Sequence, residues 1–589
     1  MLRTHTCGEL NKSLAGAEVT LCGWVHRRRD HGGLIFVDLR DRYGFTQIVF
    51  DPEDSAREVF TTAETIRPEW VLKITGKVRP RIEGAVREEN PTGAIEVLIS
   101  GIEILNEAKT PPFEIDIEKT VNEEARLEYR YLDLRRPRMQ RNVLMRHKLL
   151  QAVRKYFYDR EFVEVETPIL IKGTPEGARE YLVPSRLHHG EFYVLPQSPQ
   201  QLKQLTMIAG LDRYMQIARC FRDEDQRGDR QPEFTQVDVE MSFVTAEDIM
   251  KITEDGLGSL TKELRPDVKI KQTPFPHLTY DEAMHTYGSD KPDLRYELTF
   301  TDVTELSRKC GFGVFAGVVD QGGIVKVMRV PNGAAMSRKE IDELTEVAKI
   351  YGAKGLAWIK VGEKEHEGVP VLKLGAELTA KIVQEAKAIK GDLLLFAADQ
   401  FRTACESLGA VRVEIAKRQN LIDPKIWSYV WITDFPMFER DKETGELAAM
   451  HHPFTRPNRD SVEILKKKPL EAKAEAYDVA LNGYEIAGGS IRIHEGKLQK
   501  QIFDILGVTD KDAERRFGHM LRAFEFGAPP HGGIAWGFDR LCMLFCDEPN
   551  IREVIVYPKD QKAKDLMLGA PTPIPEKQLK ELGVQILKK

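Results

Sequence analysis

The chain has 589 residues, of which 42% are hydrophobic and 30% are charged, with 86 Lys and Arg against 92 Asp and Glu for a formal net charge of -6. This length exceeds what one hydrophobic core can serve and predicts about four domains. The composition is that of an ordinary globular protein and excludes collagen-like, coiled-coil and wholly disordered chains. The negative net charge argues against nucleic-acid binding over a broad basic surface, so any such contact must be local.

Targeting signals and cysteines give no sign of export. Residues 1–13 lack the apolar stretch of a signal peptide, and no run of about 18 apolar residues could span a membrane. The seven cysteines are odd in number and form no Cys-x-x-Cys pair, which argues against a disulfide framework or a zinc knuckle. We therefore expect a cytoplasmic protein with no membrane partner.

Residues 1–108 show the alternating hydrophobicity of short strands. Five such stretches, separated by glycines and charged turns, are VTLCGWV, GLIFVDLRD, FTQIVF, WVLKITGKV and IEVLIS. Five short strands in about 100 residues predict a small barrel, commonly the oligonucleotide-binding (OB) barrel, although a generic small sandwich remains open.

Side chains suited to single-stranded nucleic acid occur in the same region. Arg29 precedes a glycine pair at 32–33, and Phe36 and Gln47 follow on predicted strands. An arginine can hold phosphate, an aromatic ring can stack on a base, and an amide can read a base edge. The alternative is the charged edge of an ordinary hairpin.

The remaining chain divides at changes of pattern. Prolines at 111–112 predict a linker. Helical spacing from Met145 to Phe157 is followed by FVEVETPIL (162–170), which predicts a strand ended by Pro168. Between 288 and 419, amphipathic helices alternate with short apolar strands and predict a separate α+β insertion. After Trp427 a strand-rich pattern returns, and 532–546 passes from a glycine-rich strand into an apolar helix.

The segment CFRDEDQRGDRQPEFTQVDVE (220–240) carries residues suited to a nucleotide. Alternation predicts Arg222 and Glu224 on one strand face, and Phe234 and Gln236 on the face of the next strand. A guanidinium holds phosphate, a carboxylate accepts from the amino group of a base, and a ring stacks on adenine. The alternative is an exposed hairpin rich in salt bridges.

The segment HGGIAWGFDR (531–540) provides a second candidate element. Its glycines allow close approach to a strand backbone, and Arg540 follows at a predicted helix start, where it can contact phosphate or stack on a base. The three segments 162–170, 220–240 and 531–540 resemble motifs 1, 2 and 3, respectively, of the class II aminoacyl-tRNA synthetases, and they occur in that order along the chain.

The resemblance extends over essentially the whole chain and is closest to the bacterial-type aspartyl-tRNA synthetases. TPEGARE, PQSPQ, RDED, RQPEFTQ, MHHPF, GYEIAGGSIR and GFDR all occur. It implies an α+β multidomain fold, with an N-terminal OB-fold anticodon-binding domain, an antiparallel-sheet catalytic domain and an inserted α+β domain of the GAD type. It also implies a homodimer. The predicted boundaries are 1–108 for the OB-fold, 109–135 for the linker, 136–287 and 420–589 for the two parts of the catalytic domain with its C-terminal extension, and 288–419 for the insertion.

Substrate choice should appear as charge complementarity. A site for L-aspartate needs cations at the β-carboxylate, and Arg492 and Lys203 can supply them, although a lysine considered alone is more often at the surface. A histidine pair such as MHHPF more often packs or binds metal. By resemblance, the residues that contact aspartate are Glu176, Gln200, Lys203, Arg222, Gln236, Asp238, His451, His452 and Arg492.

The resemblance also implies residues for ATP, for Mg²⁺ and for catalysis. Carboxylate oxygens suit Mg²⁺, which keeps several waters and contacts phosphates. Arg222, Glu485 and Arg540 are the expected catalytic residues. The expected magnesium ligands are Asp478 and Glu485. The expected ATP-binding residues are Arg222, Asp223, Glu224, Gln231, Phe234, Glu485, Gly537, Phe538, Asp539 and Arg540.

The resemblance implies ATP-dependent formation of aspartyl-adenylate and transfer of aspartate to tRNA. Arg29, Phe36 and Gln47 match anticodon contacts, while His31 and Gly84 resemble members that accept two anticodons. We therefore expect charging of tRNA-Asp and tRNA-Asn, with no DNA partner. The alternatives are a strict tRNA-Asp enzyme, an asparagine-specific synthetase, a tRNA-independent ligase that makes asparagine, and a non-catalytic RNA-binding paralogue.

Overall fold

The computed structural model describes residues 1–115, 119–173, 178–441 and 444–587. The chain forms two units, each described separately below. Unit 1 comprises Met1–Leu144 with Arg552–Thr572, and unit 2 comprises Met145–Ile551 with Pro573–Lys589. Within the described ranges, no helix combines the length and the apolar character that a membrane crossing needs.

Unit 1 begins with a closed five-stranded barrel. Alternate residues such as Val19, Leu21 and Val25 point into a core of aliphatic side chains, as the period-two pattern requires. The strands close in the order β1-β2-β3-β5-β4, so the OB-type barrel is confirmed and the sandwich is excluded. Its elements are β1 (Glu18–His31), β2 (Leu34–Asp41), β3 (Gly44–Phe50), α1 (Arg57–Thr65), β4 (Val71–Pro80) and β5 (Ile95–Asn106).

The segment expected to be a linker contains two short helices, α2 (Glu123–Glu128) and α3 (Arg130–Asp133), before α4 (Pro137–Tyr158). Asp133 is fully buried and accepts hydrogen bonds from Arg126 and Arg130, and Arg126 also pairs with Glu553. Charged residues that would suit a solvated linker are therefore buried here as mutually neutralising pairs.

Unit 2 alternates strands and helices up to the insertion. Among the described residues between 170 and the insertion, three helices accompany the short strands. The elements are β6 (Val163–Glu164), β7 (Leu182–Pro184), β8 (Phe192–Val194), α5 (Gln200–Ile208), β9 (Arg213–Phe221), β10 (Glu233–Ser242), α6 (Ala246–Leu264), β11 (Lys269–Ile270), β12 (His277–Thr279) and α7 (Tyr280–Tyr287).

The insertion forms a four-stranded sheet in the order β13-β14-β16-β15 with helices around it. Two separate apolar clusters contact this sheet, so it is buried by helices on both sides. The elements are β13 (Phe300–Asp302), α8 (Thr304–Ser307), α9 (Gly313–Asp320), β14 (Ile324–Val330), α10 (Arg338–Ile350), β15 (Ala357–Lys360), α11 (Val369–Leu374), α12 (Ala376–Glu385), β16 (Leu393–Asp399) and α13 (Phe401–Arg418).

The chain then returns to the larger sheet of unit 2. Its strands are short and apolar, and the predicted passage from a glycine-rich strand into a helix is β23 followed by α16. The elements are β17 (Ile426–Trp427), β18 (Tyr429–Thr433), β19 (Phe438–Arg440), β20 (Leu447–Ala449), β21 (Ala476–Leu481), β22 (Tyr484–Ile491), α14 (Gly496–Ile505), α15 (Asp510–Phe524), β23 (His531–Gly537), α16 (Phe538–Phe545) and α17 (Glu576–Leu582).

Eight strands form this sheet, in the order β12-β18-β21-β22-β23-β10-β9-β6. The central pairs are antiparallel, while β12 and β6 join the two edges in parallel. The predicted strand over 162–170 is wrong beyond Glu164. As an edge strand, β6 has one partner, and the chain leaves β9 before Pro168, leaving Ile169 and Leu170 exposed.

Candidate active site

A cleft of about 170 Å³ opens at the junction of β10, β22, β23 and α16. Its lining includes Gln236 and every residue expected to bind ATP except Asp223 and Phe538. The backbone N–H of Asp223 donates to the carbonyl of Arg179, and the Phe538 ring is buried at 1% exposure. The cleft is lined by Arg222, Glu224, Gln231, Phe234, Gln236, Glu485, Gly537, Asp539 and Arg540, among others.

The predicted strand placement of Arg222 and Glu224 is wrong, because β9 ends at Phe221 and both residues lie in the loop that follows. The loop still brings Arg222 to Phe234 on β10, with its guanidinium carbon 5.1 Å from the ring centroid. The Nε of Arg222 is buried and lacks a hydrogen-bond partner in the described part of the chain. An aromatic face and a cationic donor therefore meet at one wall of the cleft.

Arg540 lines the cleft at the start of α16. Its Nη1 donates to the backbone carbonyl of Glu485 at 2.8 Å, and its Nη2 pairs with Asp229 at 3.2 Å. Asp229 lies in the loop between β9 and β10, and the sequence analysis did not identify it. Its position beside two arginines in RGDR was the available signal, but the spacing alone does not show which arginine it meets.

Asp478 and Glu485 lie on the neighbouring strands β21 and β22. Oδ1 of Asp478 is buried and lacks a hydrogen-bond partner among the described residues. Burial raises the pKa of Asp478 to about 6, with the charge of Glu485 acting in the same direction and His451 opposing it. Burial also opposes ionisation of Glu485, but Arg540 and Lys291 outweigh it and lower that pKa.

These carboxylates fit a magnesium ion that completes its coordination with phosphate and water oxygens. Within the described ranges, no three His, Cys, Asp or Glu residues form a group that could hold a metal alone. Mg²⁺ commonly binds one or two protein carboxylates. Oδ1 of Asp478, which lacks a hydrogen-bond partner among the described residues, and the carboxylate of Glu485 therefore suit it. Two neighbours were not predicted from the sequence: Lys291 helps to lower the pKa of Glu485, and burial, with the charge of Glu485, raises the pKa of Asp290.

A buried group of alternating charges lies on α5, β10 and the end of β22. Nζ of Lys203 donates to Asp238 at 2.7 Å and pairs with Glu240 at 3.2 Å. Arg492 donates hydrogen bonds to both oxygens of Glu240, from Nε to Oε1 at 2.9 Å and from Nη2 to Oε2 at 3.1 Å. The side chain of Lys203 is only 2% exposed, so the surface-lysine alternative is excluded.

The sequence analysis did not identify Glu240, although VDVE places it on the same strand face as Asp238. Burial opposes its ionisation, but Arg492 and Lys203 lower the pKa of Glu240 to about 2. In contrast, burial raises the pKa of Asp238 despite the opposing charge of Lys203. The two acids therefore differ in how strongly their cations compensate for burial.

The two histidines of MHHPF reach different parts of the site. His452 Nε2 lies 2.9 Å from Nη1 of Arg492, and burial with the arginine charge lowers the pKa of His452. His451 Nε2 lies 3.9 Å from Oδ1 of Asp478. One segment thus contacts both the buried charged group and Asp478.

Gln200 and Glu176 are two further residues expected to contact aspartate. Gln200, at the start of α5, donates to Gln204, whose amide in turn lies 3.0 Å from Nε2 of His531. Glu176 lies outside the residues that the structure describes.

The chain matches the family model of class II tRNA synthetases (D, K and N) over residues 122–561 and that of the OB-fold nucleic acid binding domain over 19–105. The chain belongs to the class II tRNA synthetases. A similar protein of Rubrobacter xylanophilus, named aspartate–tRNA(Asp/Asn) ligase, is 52% identical over 99% of this chain and 97% of its own. A Bacillus subtilis protein of the same name is 50% identical over 100% and 99%.

Solved structures confirm the fold of this synthetase. The asparaginyl-tRNA synthetase of Pyrococcus horikoshii complexed with asparaginyl-adenylate is 20% identical, covers 95% of this chain and 98% of its own, and has a TM-score of 0.59. An aspartyl-tRNA synthetase from Entamoeba histolytica is 19% identical, with coverages of 94% and 91% and a TM-score of 0.57.

The barrel of this synthetase brings three expected anticodon contacts to one place. Arg29 on β1 is the register partner of Phe36 on β2, and its Nη2 donates to Asp38 at 2.9 Å and to Gln47 at 3.4 Å. Gln47 in turn donates to Glu96, which the sequence analysis did not identify.

The two residues expected to relax anticodon choice are exposed. His31 ends β1, and Gly84 has a φ of +85° with open space where a Cβ would lie. No described contact joins them to each other or to Arg29.

Proposed function

We propose that this synthetase activates L-aspartate with ATP and transfers it to the 3′ end of both tRNA-Asp and tRNA-Asn. The observation that carries the choice of aspartate is that Lys203 and Arg492 are both buried and both pair with Glu240. Glu240 lies on β10, the strand whose Gln236 lines the cleft. A β-carboxylate requires cationic donors, whereas the neutral amide of asparagine gains less from them.

The residues of the cleft divide the work of adenylate formation. Phe234, Glu224 and Gln231 hold adenine, Arg222 holds the α-phosphate, and Arg540 holds the distal phosphate. The α-carboxylate of aspartate is already charged when it attacks the α-phosphorus in line and displaces pyrophosphate, so no protein base is needed. A hydroxyl of the terminal tRNA ribose then attacks the adenylate, and AMP leaves.

Magnesium is part of this proposal. Asp478 and Glu485 would hold it, and when bound it neutralises charge on the phosphates. Gln200 and Glu176 are proposed for the substrate ammonium group, and Gln236, Asp238, His451 and His452 for the surroundings of the substrate. A homodimer and a cytoplasmic location are proposed from the family resemblance.

The dual tRNA specificity has two supports. Similar proteins that align with almost the whole chain carry the name aspartate–tRNA(Asp/Asn) ligase. In this chain His31 and Gly84 leave open, exposed positions at the predicted anticodon surface. The second candidate is a synthetase that charges tRNA-Asp only.

Aminoacylation of separate tRNA-Asp and tRNA-Asn transcripts with labelled aspartate tests the proposal, with labelled asparagine as the control. We expect aspartate on both transcripts and asparagine on neither. His31→Leu should reduce charging of tRNA-Asn more than of tRNA-Asp. Charging of tRNA-Asp alone by the unmodified protein would establish the strict enzyme, and no aspartate-dependent charging at all would refute the proposed activity.

A further inference from the structure

One buried carboxylate joins β10 and α16, which both contribute to the lining of the cleft, to helix α4. Asp539 is 4% exposed, and its two oxygens have different partners. Oδ1 accepts from Nη1 of Arg146 at 2.5 Å, and Oδ2 accepts from the backbone N–H of Thr235 at 2.7 Å. Arg146 lies on α4, Thr235 on β10, and Asp539 in the first turn of α16.

Arg146 also contacts β10 and α16 at Thr235 and Phe538. Its Nη2 lies 3.3 Å from the hydroxyl of Thr235, and its guanidinium carbon lies 4.9 Å from the ring centroid of Phe538. Arg146 itself is not among the residues that line the cleft. Its influence on a ligand there must therefore pass through the residues that it holds.

These contacts matter because of their neighbours in sequence. Thr235 directly follows Phe234, the aromatic side chain of the cleft, and Asp539 directly precedes Arg540, a cation that also lines the cleft. We propose that Arg146 is a positioning residue for ATP, which acts through Asp539 to hold Phe234 and Arg540 at the spacing that the nucleotide requires. The inference rests on the proposed function, since it takes this cleft as the ATP site.

Loss of the guanidinium would leave a buried carboxylate without its cation. A buried charge without a partner is unfavourable, so Asp539 would have to take up a proton or turn toward water. Either response weakens its hydrogen bond to the Thr235 N–H and releases the start of α16. ATP should be affected more than aspartate, because Lys203 and Arg492 are held by Glu240 and Asp238 instead.

The test compares Arg146→Gln and Arg146→Lys with the unmodified full-length protein. Arg154→Gln is the matched control, since Arg154 lies on the same helix but pairs with Glu164 at the surface. Aspartate-dependent ATP–pyrophosphate exchange gives both KM values, and calorimetry gives the Kd for ATP alone. Arg146→Gln should raise the KM and Kd for ATP about tenfold or more, with the KM for aspartate nearly unchanged.

Two further comparisons separate positioning from general damage. Arg146→Lys should recover part of the ATP affinity, because an ammonium can still pair with Asp539. In an Asp539→Asn background, Arg146→Gln should raise the Kd for ATP by at most about a further threefold, because the effects of residues that act through one another are not additive. A full tenfold cost in that background would contradict action through Asp539.

Unchanged ATP constants in Arg146→Gln would overturn the inference, as would equal rises in both KM values with a lowered melting temperature. If Arg146→Gln does not fold, Arg146→Lys decides, and ATP constants equal to those of the unmodified protein overturn the inference. Failure of the proposed function looks different. In that case the unmodified protein shows no aspartate-dependent exchange, while calorimetry still reports whether Arg146 supports ATP binding.

Discussion

At the scale of single residues, Glu240 connects the two cations of the buried charged group. It neutralises Arg492 through two hydrogen bonds and also pairs with Lys203. Glu240→Gln would remove this charge and leave Arg492 buried with weaker compensation. Breaking a buried ion pair of this kind costs about 3–5 kcal/mol, so we expect a clear loss in the unfolding free energy.

The same residue predicts a pH dependence. The pKa of Glu240 falls from an ordinary 4.5 to about 2 in the folded protein. Its stabilising contribution is therefore complete above pH 4.5 and is lost as the pH falls toward 2. The difference in stability between the unmodified protein and Glu240→Gln should be constant near neutral pH and shrink below about 4.5.

Urea unfolding at a series of pH values measures this difference. Glu233→Gln provides the control, because Glu233 lies on the same strand and pairs with Arg219 at the surface. Surface pairs contribute about 0–1 kcal/mol, so the control should lie close to the unmodified protein. A Glu240→Gln protein as stable as the control would show that the buried pair is not stabilising.

At the scale of elements, β21 pairs with β22 where Gly488 lies opposite Asp478, a proposed magnesium ligand. A Cβ at Gly488 would lie 2.7 Å from Oδ1 of Asp478, the register partner of that glycine. Gly488→Ala should displace the carboxylate and raise the Mg²⁺ concentration that half-maximal exchange requires. Gly496→Ala is the control, since nothing lies within 4 Å of a Cβ there. Equal magnesium dependence in both variants would contradict a metal role for Asp478.

Sequence patterns identified elements better than they identified their extents. Alternation predicted the barrel strands, because strands such as β1 have one buried face. The passage from β23 to α16 was predicted instead from a glycine-rich stretch followed by an apolar helical one. Strand patterning extended β6 beyond Glu164 toward Pro168, since an apolar sequence does not reveal that an edge strand has lost its partner. It likewise placed Arg222 on β9, although that strand ends one residue earlier.

At the scale of the whole molecule, the residues missed by sequence reasoning share one property. Glu240, Asp229 and Glu96 act by neutralising or holding residues that were identified, and each meets its partner only after distant segments fold together. The buried state of Lys203 has the same origin. A lysine in a helix near glutamines carries no local sign that two acids from β10 will surround it.

Because the chain divides into two units, we predict that a mutation can weaken tRNA binding without changing aspartate-dependent exchange. Arg29 lies on the barrel in unit 1, whereas the cleft lies in unit 2. Arg29→Gln should weaken tRNA binding about tenfold and reduce its salt slope by about one, because an acidic chain must rely on few local cations.

In Arg29→Gln, the rate of aspartate-dependent exchange without tRNA should stay within about twofold of that of the unmodified protein, since the cleft residues are untouched. Arg42→Gln is the control, as Arg42 lies just beyond the opposite end of β2 and contacts Tyr43. Filter binding across a salt series, together with aminoacylation, measures both properties. If Arg29→Gln leaves tRNA binding equal to that of Arg42→Gln, the anticodon surface must lie elsewhere on the barrel. If it lowers exchange as strongly as aminoacylation, the two units do not act separately.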